Sequence, residues 1–168
     1  TLYIFTDHGN CYTLPIGKMT EFKPRDRGQL LSGVLADLEE NEQALYMTAS
    51  LPSALAARPD LLFVTQKGLI KRSNSGEYAV RSKKFTAVVL KKEDTLLSVF
   101  PLRESLDLWL ISRNGMSIRF PLSSVSVQGR VACGVKGMAL EDDDKILWAG
   151  QIAEKEDLIL FSDRGWGK

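Results

Sequence analysis

The sequence predicts an all-β, propeller-like chain. It would hold about three complete four-stranded repeats plus the start of a fourth, set out as an open arc. Three observations predict this. One segment type recurs four times. Two separate anchors within it agree on a period near 50 residues. The apolar runs are short, rich in Val, Ile, Leu and Phe, and punctuated by glycine, which suits strands better than helices.

The recurring segment is four apolar residues, then Thr or Ser, two polar residues and Gly. Its copies are Leu2-Tyr3-Ile4-Phe5-Thr6-Asp7-His8-Gly9, Leu61-Leu62-Phe63-Val64-Thr65-Gln66-Lys67-Gly68, Leu108-Trp109-Leu110-Ile111-Ser112-Arg113-Asn114-Gly115 and Leu158-Ile159-Leu160-Phe161-Ser162-Asp163-Arg164-Gly165. The glycines stand 59, 47 and 50 residues apart. A second anchor, Leu followed by a charged turn, begins at Leu38, Leu90 and Leu140, with intervals of 52 and 50.

Each glycine reads as the turn of a hairpin, where positive φ is needed. In the second copy the four strands are expected at Leu61 to Thr65, Leu69 to Ser73, Thr86 to Leu90 and Leu96 to Leu102. Leu51 to Pro59 reads as a short helix or loop that lengthens the first interval. The repeats therefore divide the single domain 1–168 at approximately 2–60, 61–107 and 108–157, with another beginning at 158–168. The chain reads as a portion of a longer array.

Net charge is only +1, which by itself argues against a nucleic-acid binder. The charges are nevertheless segregated. Lys18 to Arg27 carries +2, Lys67 to Lys84 carries +5 and Arg113 to Lys136 carries +4; together they hold 14 of the 22 basic residues. Acids gather at the second anchor, with −4 over Asp37 to Glu42 and −3 over Glu141 to Lys145, while Lys91 to Asp94 is neutral. Stacked repeats would line the basic stretches into one band able to neutralise successive phosphates. Charge alone equally permits ordinary solvated strand edges.

The ordered set Phe5-Thr6-Asp7-His8-Gly9-Asn10-Cys11-Tyr12, Arg27-Gly28-Gln29, Val64-Thr65-Gln66-Lys67-Gly68-Leu69-Ile70-Lys71-Arg72, Ser112-Arg113-Asn114-Gly115-Met116-Ser117-Ile118-Arg119-Phe120 and Gly134-Val135-Lys136-Gly137-Met138 resembles the C-terminal domains of bacterial type IIA topoisomerase A subunits, those of topoisomerase IV and DNA gyrase. The resemblance runs along essentially the whole chain. It implies a β-pinwheel, a propeller-like ring whose four-stranded blades exchange strands with their neighbours, and duplex DNA bent around a basic outer rim. Carried over by position, the phosphate contacts would be Lys18, Lys23, Arg25, Arg27, Lys71, Arg72, Arg81, Lys83, Lys84, Arg113, Arg119, Arg130 and Lys136.

The resemblance further implies a parent enzyme that works with a B subunit, ATP and Mg2+ in the bacterial cytoplasm at the nucleoid. It implies no cofactor for this stretch of chain, which as an isolated piece would be monomeric. One feature departs from the gyrase pattern. The basic box Gln-Arg-Arg-Gly-Gly-Lys-Gly is absent, and the nearest string, Pro24-Arg25-Asp26-Arg27-Gly28-Gln29, is shorter and carries an acid. Either the box lies upstream of Thr1 or the relative is topoisomerase IV, towards which Arg27-Gly28-Gln29 leans.

Catalytic patterns are missing. There is no phosphate-binding G-x-x-x-x-G-K-[ST] loop and no H-E-x-x-H. The lone histidine, His8, reads as a turn residue, and Asp142-Asp143-Asp144 as a solvated turn that lacks the ligand spacing of a calcium loop. Cys11 and Cys133 read as reduced thiols. Trp109 and Trp148 are expected in the core, whereas Trp166 is open. In the resembled family strand cleavage uses a tyrosine in the N-terminal region, and Tyr3, Tyr12, Tyr46 and Tyr78 have no matching context. No apolar run is long enough to span a membrane, and no basic stretch precedes Thr1-Leu2 as in a signal peptide. A second class remains open at this point: a protein-interaction propeller that does not bind DNA. An enzyme site in a central channel would need clustered acids and histidines that the sequence does not supply.

Overall fold

The computed structural model describes residues 1–35 and 37–167. In the first repeat, strands β1 (Leu2–Thr6) and β2 (Asn10–Leu14) form a hairpin, followed by a long exposed loop, a one-turn helix α1 (Leu31–Val34) and β3 (Ala44–Ala49). The second repeat supplies β4 (Leu61–Thr65), β5 (Leu69–Ser73), β6 (Lys84–Thr86) and β7 (Leu96–Pro101). The third supplies β8 (Leu108–Ser112), β9 (Ser117–Phe120), β10 (Val135–Lys136) and β11 (Ile146–Gln151). The stretch between β3 and β4 forms 3-10 turns over Pro52–Ala57. No described helix is long and apolar enough to cross a membrane.

The chain is all-β, and its strands make three antiparallel sheets in the orders β3-β1-β2-β6, β7-β4-β5-β10 and β11-β8-β9. Strand β6 belongs to the second repeat by sequence yet completes the first sheet, pairing Asn10, Cys11 and Tyr12 with Thr86, Phe85 and Lys84. Strand β10 likewise leaves the third repeat to pair with β5. The first two sheets therefore each combine strands of two sequence intervals, whereas the described strands of the third all come from one. The third strand expected at Thr86 to Leu90 lies two residues earlier, and Ala87 and Val88 instead donate their amides to the Gly9 carbonyl oxygen. The third sheet shows three strands, with no described segment on the far side of β9.

The glycine turns explain this exchange. Gly9 has φ +77°, and a Cβ there would stand 2.6 Å from the Val88 carbonyl oxygen. Glycine is thus required both by the turn and by the arriving strand. The Thr or Ser before each of the first three turns is buried, and its hydroxyl serves the hairpin: Thr65 Oγ1 accepts from Leu69 N at 3.1 Å and Ser112 Oγ from Met116 N at 3.3 Å.

Two cores lie between successive sheets. Phe5, Phe63 and Tyr78 pack edge-on or tilted between the first two, with the Phe5 and Tyr78 rings 5.2 Å apart. Leu62, Val64, Leu108 and Leu110 fill the second interface. Each such buried side chain contributes about 1.5–3 kcal/mol. A third cluster, Ile4, Tyr12, Leu14 and Leu35, covers the other face of the first sheet beneath α1. The sheets do not close into a ring. Strands β3, β7 and β11 pack side by side, which places β2–β6, β5–β10 and β9 at the opposite, outer edge.

Trp109 is half-buried, but Trp148 is surface-exposed, against the core expectation. A register shift between Ile146 and Trp148 turns the indole out, and it lies across Gly150 on its own strand. Trp166 is exposed, and the hairpin there is a single Phe161–Gly167 bridge. Cys11 and Cys133 are both free thiols.

Candidate nucleic-acid interface

The basic stretches fall on the outer edge, since each follows a glycine hairpin onto β2, β5 or β9 and the loop beyond. Their side chains divide into two sets. Lys18, Lys23, Arg25 and Arg27 lie exposed in the loop after β2, and Arg81 and Lys83 lie exposed in the loop before β6. Because β2 and β6 are paired, these two loops flank one edge. Thr13 ties them together, donating its amide to the Lys83 carbonyl at 2.8 Å and its hydroxyl to the Ser82 carbonyl at 3.0 Å. Lys18, Arg81 and Lys83 line one groove of about 570 Å³, together with Tyr12, Leu14, Val34 and Leu35.

Of the two acids in this loop, Glu21 and Asp26, the second is held by backbone. Asp26 Oδ2 accepts from the Lys23 amide at 2.9 Å, and the Asp26 amide donates to the Lys23 carbonyl at 2.9 Å. The carboxylate closes the turn that presents Arg25. Arg113 in the third hairpin turn and Lys136 on β10 are also exposed.

The remaining candidates all have partners within the chain, Arg119 at an exposed ion pair, and for the buried Lys71 the sequence expectation is corrected. Lys71 is fully buried: its Nζ donates to the Ala87 and Arg130 carbonyl oxygens, each at 2.6 Å, and lies 4.7 Å from the centre of the Phe63 ring. It cannot reach a phosphate. Burial, with a smaller push from the Arg130 charge, brings its pKa down to about 7.

Arg72 is held by Asp60 and Glu104, both at 2.7 Å, with 15% of its side chain exposed. Arg119, its counterpart one repeat on, makes the same 2.7 Å contact with Asp107 and lies over the Trp109 ring. Lys84 is paired with Glu39 at 2.6 Å, which keeps its ammonium protonated far above the usual lysine range. Arg130 donates to the Thr86 carbonyl at 2.5 Å and covers the Phe85 ring. A band of equal strength along all three repeats is thus not what the side chains form; among the described residues, the candidate cations without a side-chain partner concentrate beside the first sheet.

A family profile described as the DNA gyrase C-terminal domain, beta-propeller, matches residues 59–103 and 107–153, more than half of the chain. The chain belongs to the DNA gyrase C-terminal domain family. Among curated relatives, the A subunit of topoisomerase IV from Streptococcus pneumoniae serotype 4 is 32% identical over 98% of this chain, and the A subunit of DNA gyrase from Haloquadratum walsbyi is 31% identical over 99%. The chain spans 20% of the length of each. A crystal structure of the C-terminal domain of DNA topoisomerase IV superposes with a TM-score of 0.91 at 27% identity, covering 99% of this chain and 52% of that one. A DNA gyrase A C-terminal domain superposes at 0.73 with 22% identity, a likeness of fold.

Within this gyrase C-terminal domain family member, sequence reasoning missed one set of residues. Each acidic anchor turns one carboxylate onto its own repeat, buried in the first two and partly exposed in the third. Glu42 is buried and accepts from Thr6 Oγ1, from Asn10 Nδ2 at 2.9 Å, from Tyr12 OH at 2.6 Å and from the Glu39 amide at 3.0 Å. Burial raises its pKa, but these four donors outweigh it and leave the net shift downward. Asp94 accepts from the Lys67 amide at 3.0 Å, and Asp144 from the Asn114 amide at 3.1 Å, each steadying a glycine hairpin. Asp144 is therefore a turn cap rather than a free surface acid. The signal was present: these acids stand 52 and 50 residues apart, at the repeat period.

His8 sits in its turn and meets Glu39 at 3.1 Å. His8, Glu39 and Glu42 offer atoms within 4.8 Å of one another, a spacing that a metal could use. Glu42 is already occupied by its four donors and Glu39 by Lys84 and His8, so the cluster reads as a hydrogen-bond network.

Proposed function

We propose that this chain binds duplex DNA without base specificity along its outer edge and bends it, as part of the A subunit of a type IIA topoisomerase. The observation that carries the reading is the cluster of six exposed cations, Lys18, Lys23, Arg25, Arg27, Arg81 and Lys83, on two loops flanking the β2–β6 edge. Phosphate contacts of this kind release counterions and carry no sequence preference. In the parent enzyme the bound segment would be presented for strand passage, with ATP, Mg2+ and a B subunit supplied by other parts of the assembly in the bacterial cytoplasm. The topoisomerase IV branch is favoured, because a solved topoisomerase IV domain superposes over 99% of this chain at 27% identity.

A mobility-shift titration with unrelated duplexes across a salt series tests the proposal. Binding should be insensitive to sequence and weaken steeply with salt. Absence of binding at low salt overturns it, and capture of a protein partner by the same edge without DNA affinity would favour an interaction module. Circular permutation of the duplex reads out the bend.

A further inference from the structure

We propose that Lys71 and Arg130 are positioning residues: they clamp the strand that the second repeat lends to the first sheet, and so fix Arg81 and Lys83 for DNA. The proposal rests on the DNA-binding reading above. The family resemblance, carried over by position, implies phosphate contacts for both residues; their geometry assigns them elsewhere.

Strand β6 is only three residues long and pairs with β2 at three positions. So short a ladder holds a crossing segment weakly. The residues at and after its end are gripped from outside the first sheet. Arg130 Nη1 donates to the Thr86 carbonyl at 2.5 Å, with its guanidinium 5.4 Å from the centre of the Phe85 ring. Lys71 Nζ donates to the Ala87 carbonyl at 2.6 Å and, at the same distance, to the carbonyl of Arg130 itself. Glu77 completes the arrangement by accepting from the Arg130 amide at 3.3 Å.

Residues of two repeats meet here against the first sheet. Lys71 stands on β5 of the second sheet, Thr86 and Ala87 adjoin the first sheet, and Arg130 precedes β10 from the third repeat. The charged groups around the Lys71 amine are Arg130 and Glu77. An amine donates to two carbonyls whether or not it is protonated, so the clamp does not depend on its charge. The clamped carbonyls begin three residues beyond Lys83, so loosening them frees the loop that carries two of the six exposed cations.

The test compares Arg130→Gln, Arg130→Lys and Lys71→Met in this chain by amide hydrogen exchange and by DNA binding across a salt series. Arg130→Gln should speed exchange over residues 84–88 by about tenfold while β8 and β11 keep their protection. DNA affinity should fall by about fivefold with the log–log salt slope unchanged, and Arg130→Lys should restore both. Lys71→Met should reproduce the exchange pattern; if it unfolds by circular dichroism, Arg130→Gln decides alone.

A salt slope shallower by about 0.9 in Arg130→Gln would mark a direct phosphate contact and overturn the proposal, as would unchanged exchange over 84–88. Failure of the unmodified chain to bind DNA at low salt would remove the DNA reading, and the exchange arm would still decide whether the clamp exists.

Discussion

Gly68 and Met138 approach so closely that a Cβ on Gly68 would lie 2.7 Å from the Met138 carbonyl oxygen. The contact repeats that of Gly9 with Val88 one repeat earlier, and in both the glycine carbonyl receives two amides from the incoming strand. Gly115 has the same φ of +84° as Gly68 but open space where its Cβ would stand. Gly115→Ala should therefore cost only the left-handed strain, about 1–2 kcal/mol. Gly68→Ala should cost about 2–4 kcal/mol, because β10 must also shift. Urea unfolding of the two variants measures the difference, and equal losses would refute the close-approach account.

Glu42 gives an acid-limb prediction. Its folded-state pKa is depressed, so its stabilisation is present above the unfolded carboxylate value and is lost as pH falls through the folded one. Glu42→Gln should flatten the decline of stability below about pH 4.3. Glu42→Ala should lose about 2–4 kcal/mol at neutral pH, since four donors lose their acceptor. Unfolding midpoints between acid and neutral pH check both.

Lys71 acts on the other limb. Its folded pKa of about 7 lies below the unfolded lysine value, so from pH 7 upward the unfolded chain holds a proton that the folded chain has released. Stability should rise with pH in this window, by at most about 1.4 kcal/mol per pH unit. Towards pH 9 the buried Cys11 thiol, and above it Tyr78, oppose the rise, because burial raises both pKa values. Lys71→Met should abolish the rise between pH 7 and 8.5. Its persistence in that variant would locate the titrating group elsewhere.

Arg72 and Arg81 separate structural from contacting cations. Arg72→Ala leaves Asp60, itself 11% exposed, with Asn74 Nδ2 but without its charge partner and should destabilise the fold by about 3 kcal/mol. The salt slope of DNA binding should stay the same. Arg81→Ala should leave stability within about 0.5 kcal/mol and reduce the slope by about 0.9. Unfolding and salt-series binding, run in parallel, must show opposite patterns for the two variants.

The hairpins were legible because their determinants are local. Leu61–Thr65 and Leu69–Ser73 fall where the alternation and Gly68 place them. Strand β6 begins two residues before the position its own sequence suggests, because its place is set by Gly9, many residues upstream, through the Ala87 and Val88 amides. The status of each cation was not legible for a related reason. Arg72 and Arg81 are both single positive letters, and what distinguishes them is Asp60 and Glu104, brought to Arg72 by the fold. Lys71 sits on an alternating strand beside Arg72, and the face on which a second sheet would bury it becomes visible only once the sheets are stacked. The hydrogen-bonded acids Glu42, Asp94 and Asp144 are readable by period, but charge averaging merges them with their solvated neighbours.

The backward loan of β6 and β10 also imposes a timetable on synthesis. A ribosome delivers Asn10 long before Thr86, its ladder partner. At the usual rate of chain growth, roughly 4–15 s separate the two. For that interval β2 is an unpaired edge able to template wrong pairings. The long loop after it, dense in exposed cations, keeps a like-charged fringe beside that edge on every nascent copy. The charges available to hold DNA in the finished domain would thus also repel neighbouring chains on the same polysome while the first sheet awaits its last strand.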